Sequence, residues 1–143
     1  MNVDPLLTIL TSLLSGGIAG TLVTLLIEQR QRRRDTAVHI AQEYMAREPA
    51  LAKAEDLYLK YARSPSQWNK DDTNHLVRIG NWYEVTAVLI LERMADEKLI
   101  QRMGIDQAML TFYDNVRQME PLAYDVGQWD NMATYLNQGV KDG

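Results

Sequence analysis

The sequence predicts an all-α protein in which one N-terminal transmembrane helix continues into a small cytoplasmic helical bundle. Three observations predict it. The 23 residues from Pro5 to Ile27 carry no charge, and at about 1.5 Å per residue a helix of that length covers the roughly 30 Å hydrocarbon core of a bilayer. Beyond them, apolar residues recur at three- and four-residue spacing in one segment after another. No run of alternating β-branched residues, internal repeat or low-complexity tract interrupts that pattern. A chain of 143 residues, 46% of them hydrophobic, suits a single domain of ordinary size. The plan is an anchor over 1–28, a juxtamembrane helix with an arginine cluster over 29–48, and a cytoplasmic helical domain over 49–143.

A cleaved signal peptide needs basic residues before a short apolar core. Here the leader Met-Asn-Val-Asp has none, and the run continues past Gly16, Gly17 and Gly20 to Ile27, so the segment reads as a retained anchor. Arg30, Arg32, Arg33 and Arg34 follow at once. The positive-inside rule then puts the N-terminus outside and everything after Glu28 in the cytoplasm, with a bacterial inner membrane taken as the setting. Thr8, Ser12, Gly16, Gly20 and Thr24 recur every four residues and make one small-residue ridge, while Leu10, Leu14, Ile18 and Leu22 form the bulky opposite face. Such a ridge lets a second helix approach closely, from another copy or from a different membrane protein.

With no Gly or Pro between Thr21 and Glu48, the membrane helix should run on to about Arg47, carrying Ala37, Ile40, Ala41, Tyr44 and Met45 as an apolar stripe. A second helix should start at Pro49, a favourable first-turn residue, and end near Arg63, before Ser64-Pro65-Ser66. A third, capped by Asp71 or Asp72, should reach about Met94, with Leu76, Ile79, Tyr83, Ala87 and Ile90 on one flank. Its segment Trp82 to Leu91 is apolar nearly all round, which argues for burial between neighbours. A helical turn should span Asp96 to Met103 and end at Gly104. A fourth long helix, capped by Asp106, should stop near Glu120-Pro121, and a last one should hold Trp129, Met132, Tyr135 and Leu136.

The single N-terminal membrane helix with its Arg-rich junction is followed by Ile79-Gly80-Asn81-Trp82-Tyr83-Glu84 and by Asp96-Glu97-Lys98-Leu99-Ile100. On these the chain resembles the family called domain of unknown function 4760, with Ala95 where a glycine often precedes the Asp. It implies a helical membrane-anchored protein and carries no known activity.

Candidate chemistry is sparse. Without cysteine there is no disulfide, thiolate site or cysteine nucleophile. His39 with Glu43, and Asp71 and Asp72 with His75, supply too few ligands for a metal site. The phosphate-loop, dinucleotide, nucleophile-elbow and zinc-protease motifs are missing. No cofactor and no enzymatic activity are therefore expected. Glu84, flanked by Trp82, Tyr83, Val85 and Ala87, is the buried carboxylate candidate. It should pair with Arg78, Arg93, Arg117 or a tyrosine hydroxyl, and serves as a general base only in the alternative reading. The four arginines suit topology and anionic lipid headgroups. Beyond residue 34 there are 17 acidic and 11 basic residues, a formal charge of −6, which disfavours nucleic acid. Trp68 and Trp129 could be exposed anchors for a partner. The expected role is a single-pass accessory or scaffold subunit that mediates protein–protein assembly. The alternatives are a membrane-tethered enzyme or ligand sensor, and a membrane-associated stress or phage-defence component.

Overall fold

In the computed structural model an unbroken 42-residue helix, α1 (Pro5–Ala46), opens the chain and would measure about 63 Å. Residues 5–139 are described, with side chains from Gly20 onward. Six more helices follow: α2 (Glu48–Arg63), α3 (Lys70–Leu91), α4 (Glu97–Arg102), α5 (Ile105–Val116), α6 (Ala123–Gln128) and α7 (Asp130–Gly139). Single 3-10 turns lie at Pro65–Gln67 and Glu120–Leu122, and there is no strand among the described residues. The all-α architecture is as the periodicity requires.

Two junctions show why the helices begin where they do. Pro at the start of α2 gives up only an N–H that has no intrahelical partner there. At α3, Asn69 caps instead of Asp71 or Asp72, because Asn69 and Asp72 satisfy each other reciprocally. The Asp72 N–H donates to Asn69 Oδ1 at 3.0 Å and the Asn69 N–H to Asp72 Oδ2 at 3.2 Å. Gly104, in the left-handed region at φ 73°, likewise displaces Asp106 as the residue preceding α5. That helix stops at Val116 instead of near Glu120, since Met119 and Leu122 turn inward and are buried. A short helix, α6, was not legible in the sequence.

The core lies where the second half of α1, α2, α3, α5 and α7 meet. Leu76, Ile79, Tyr83, Ala87 and Ile90 are all buried, as their spacing predicts. Val85 is exposed, so the Trp82–Leu91 segment is not enclosed on every side, and Met45 is exposed while Ala37, Ile40 and Ala41 are buried. Trp129 is a core residue at 2% exposure, not a surface anchor. Trp68 is half-buried, edge-on to Tyr61, and its indole N–H donates to Thr73 Oγ1 at 2.8 Å.

The shortest ion pair among the described residues joins α2 to α3, with Lys60 Nζ 2.6 Å from Asp72 Oδ2. Burial alone would raise the Asp72 carboxyl, but the Lys60 ammonium and the Asn69 N–H outweigh it and hold it below the usual carboxylate range. A depressed folded-state value contributes stability that is present above the unfolded value of about 3.9 and is lost as pH falls through the folded one. The melting temperature of the wild-type chain should therefore fall as pH drops below about 4, and Asp72→Asn should flatten that limb while lowering stability at neutral pH. Parallel acid limbs in the two proteins would remove Asp72 from the account.

Candidate functional site: a cationic collar where α1 enters the bundle

Between Gly20 and Arg32, α1 stands clear of the other helices. Leu22, Val23, Leu25, Leu26 and Ile27 are each more than half exposed, and every residue from Gly20 to Arg32 is solvent-facing. Packing begins at Arg33, whose carbonyl accepts the Asp96 N–H at 3.0 Å, and at Ala37, which is buried. That bond draws the loop between α3 and α4, and α4 itself, against the arginine segment of α1. Arg93, Lys98 and Arg102 thereby join Arg30, Arg32, Arg33 and Arg34 in a cationic collar directly below the exposed apolar stretch. None of these seven cations forms an ion pair among the described residues, and the buried Nε of Arg33 has no hydrogen-bond acceptor.

Arg93 reaches the collar through an unusual backbone. The C-terminus of α3 closes with Arg93 N–H to Ile90 carbonyl at 3.0 Å and Met94 N–H to Leu89 carbonyl at 2.8 Å. This double bond pattern demands a left-handed residue between them, commonly glycine. Arg93 occupies that position at φ 56°, the one positive-φ residue other than glycine among those described. A side chain there costs about 1 kcal/mol.

A second constellation sits in the middle of α3. Trp82 donates its indole N–H to Glu43 Oε2 at 3.1 Å, stacks on Tyr44 and lies 4.9 Å beneath the Arg47 guanidinium, which ties α3 to α1. On the other side Gly80 seats the Trp129 ring, and Asn81 Oδ1 accepts the Trp129 indole N–H at 3.0 Å. Glu84 is half-buried and accepts three hydrogen bonds, from Asn131 N at 3.0 Å, Asn131 Nδ2 at 2.7 Å and Met132 N at 2.7 Å. Its partner is therefore the first turn of α7 and not Arg78, Arg93, Arg117 or a tyrosine. A carboxylate placed there satisfies free N–H groups and faces the positive end of the helix dipole. Gly80, Asn81, Trp82 and Glu84 together lock α1, α3 and α7.

A family model described as a domain of unknown function, DUF4760, matches residues 11–137, nearly the whole chain. The chain belongs to the DUF4760 family. No curated protein and no solved structure matches it. The Gly80–Glu84 segment, which carried much of the resemblance, is thus the packing centre of this DUF4760 domain.

The histidines of the DUF4760 domain are accounted for by its frame. His39 Nε2 lies 3.7 Å from Glu43 Oε1 on an exposed face, and His75 Nε2–H donates to the Ala50 carbonyl at 2.9 Å, joining α3 to α2. Between α2 and α5 a cleft of about 430 Å³ is lined by Tyr44, Tyr58, Tyr83 and Phe112. Burial pushes the Tyr58 and Tyr83 phenols far above their ordinary value. Of the ridge, Thr8, Ser12 and Gly16 lie outside the residues whose side chains are described. Gly20 has open space where a Cβ would stand, and Thr24 Oγ1 donates to the Gly20 carbonyl at 3.0 Å. Sequence reasoning left Arg93, Lys98 and Arg102 out of the cluster, because the packing of α4 and the α3–α4 junction against α1, and the left-handed Arg93 backbone, bring them there.

Proposed function

We propose that this chain is a single-pass, membrane-anchored accessory or scaffold subunit of a bacterial inner-membrane complex. Its N-terminus lies outside and its helical domain in the cytoplasm. The observation that carries the reading is the exposed stretch Leu22–Ile27, which projects from the bundle directly above the cationic collar. Such a stretch is unfavourable in water and favourable in hydrocarbon, and the Thr24 hydroxyl is satisfied by its own helix. Among the described residues no helix is long and apolar enough to cross a membrane. The proposed span Pro5–Ile27 lies, up to residue 19, outside the described side chains. Anionic headgroups are the proposed partners of Arg30, Arg32, Arg33 and Arg34, and the ridge ending in Gly20 and Thr24 is the proposed contact with a second membrane helix. Alkaline carbonate treatment of membranes should leave the full chain in the pellet, and a reporter fused after Gly143 should be active only in the cytoplasm. Release by carbonate, or a reporter active only outside, would overturn the anchor or its orientation.

A further inference from the structure

Arg30 and Arg33 on α1 face Arg93 and Lys98, from the α3–α4 junction and α4, across a cleft of about 400 Å³. A neighbouring cleft of about 560 Å³ shares Arg30 and Lys98, adds Arg34 and Arg102, and reaches Ile27, the last residue of the apolar run. We propose that this paired cleft binds a phosphate group, presented by the headgroup of an anionic lipid or by a soluble phosphorylated molecule. The lipid source rests on the membrane reading above; the phosphate chemistry does not.

Four observations lead there. The cations come from separate parts of the chain and converge without any carboxylate pairing with them among the described residues. The six cations lining the paired cleft outnumber its two acids, of which Asp96 Oδ1 caps α4 by accepting the Leu99 N–H at 3.3 Å and Glu97 Oε1 accepts from Gln101 Nε2 at 3.3 Å. The Arg33 guanidinium has already lost water from its buried Nε without gaining an acceptor, so an anion at its open nitrogens offsets a cost the folded chain otherwise carries alone. Finally, Arg93 stands in a left-handed position that glycine fills without strain, which places a fork of donors on the cleft at the expense of stability. A phosphate oxygen can accept from several such donors at once, and guanidinium geometry matches it. The position next to Ile27 sets the cleft at the depth of a headgroup if the apolar run is in the bilayer.

The test uses the full chain purified in a neutral detergent, with inorganic phosphate and glycerol 3-phosphate as probes and chloride at matched ionic strength as reference. The melting temperature should rise saturably with either phosphate and not with chloride. Arg93→Gly should melt higher than the wild type without ligand yet lose most of the phosphate response. Lys98→Gln should need about tenfold more phosphate for the same response. Arg63→Gln, which removes an equal charge from an exposed site at the end of α2, should respond like the wild type. Because Arg93→Gly gains stability as it loses binding, misfolding does not imitate the expected result. An unchanged phosphate response in the Arg93→Gly, Lys98→Gln double variant, or an equal loss in Arg63→Gln, overturns the site. Reconstitution in phosphatidylcholine vesicles with or without phosphatidylglycerol then assigns the source. A lipid ligand stabilises the wild type but not the double variant and leaves added phosphate without effect, whereas a soluble ligand still acts in both vesicles. A chain that carbonate releases but that keeps its phosphate response in detergent loses the anchor and keeps the cleft. A chain that stays in the membrane with an indifferent double variant does the reverse.

Discussion

Gly80→Ala should destabilise the domain by about 3–5 kcal/mol, as much as truncating a buried aromatic residue, and lower its melting temperature by roughly 10–20 °C. A Cβ on Gly80 would stand 2.0 Å from Trp129 Cζ2 and 2.2 Å from Cη2, far inside van der Waals contact. The ring has nowhere to go. Trp129 is 2% exposed, tilts against Phe112 with centroids 5.8 Å apart, and is held by Asn81 Oδ1. Relief of the clash must expel the indole, which carries the start of α7 with it. The effect should reverse in a Trp129→Ala background. There the extra methyl meets space, and alanine in a helix interior is worth about 0.5–1 kcal/mol over glycine. Thermal unfolding of the four proteins checks this, and equal melting temperatures for the wild type and Gly80→Ala would refute the seat assigned to Trp129.

Glu84→Gln is the second large expectation, with a loss of about 2 kcal/mol at neutral pH. The carboxylate accepts from two backbone N–H groups and one side-chain amide at the start of α7, and no cation contributes to the pairing among the described residues. Glutamine keeps the shape but offers one acceptor oxygen where there were two, and turns an NH₂ toward an N–H. The loss should be local before it is global. Amide hydrogen exchange in Asn131, Met132 and the following turn should accelerate more than exchange in α2. Unchanged protection of α7 together with loss of a cellular function would return Glu84 to the role of a site residue.

The difference between what was legible and what was not follows from the range of the interactions. Leu76, Ile79, Tyr83, Ala87 and Ile90 announce the buried face of α3 because a helix repeats every 3.6 residues whatever surrounds it. The cap of the same helix is not legible in the sequence, since Asn69, Asp71 and Asp72 are all competent and only the reciprocal Asn69–Asp72 bonds choose among them. Helix α6 escaped notice because it is short and carries no fully buried residue. Glu84 stood out as a carboxylate among apolar neighbours. Its partner could not be read, because backbone N–H groups of a distant turn have no sequence signature. The arginines of α1 were visible as a cluster, whereas Arg93 enters the site through a backbone conformation that composition does not reveal.

The ridge of Thr8, Ser12, Gly16, Gly20 and Thr24 bears the assembly half of the proposed function. Between helices in lipid, close backbone approach and weak polar contacts drive association, since one hydrocarbon is as good as another for an apolar side chain. The most direct measurement is the native mass of the detergent-extracted full chain, with identification of whatever accompanies it, for the wild type and for the Gly16→Ile, Gly20→Ile double variant. The wild type should run above the monomer mass in stoichiometric company, and the double variant should run as a monomer while remaining in the membrane. Leu14→Ile and Ile18→Leu on the opposite face should leave the assembly intact. A wild-type monomer, or a double variant that keeps the full native size, would contradict membrane assembly through this helix.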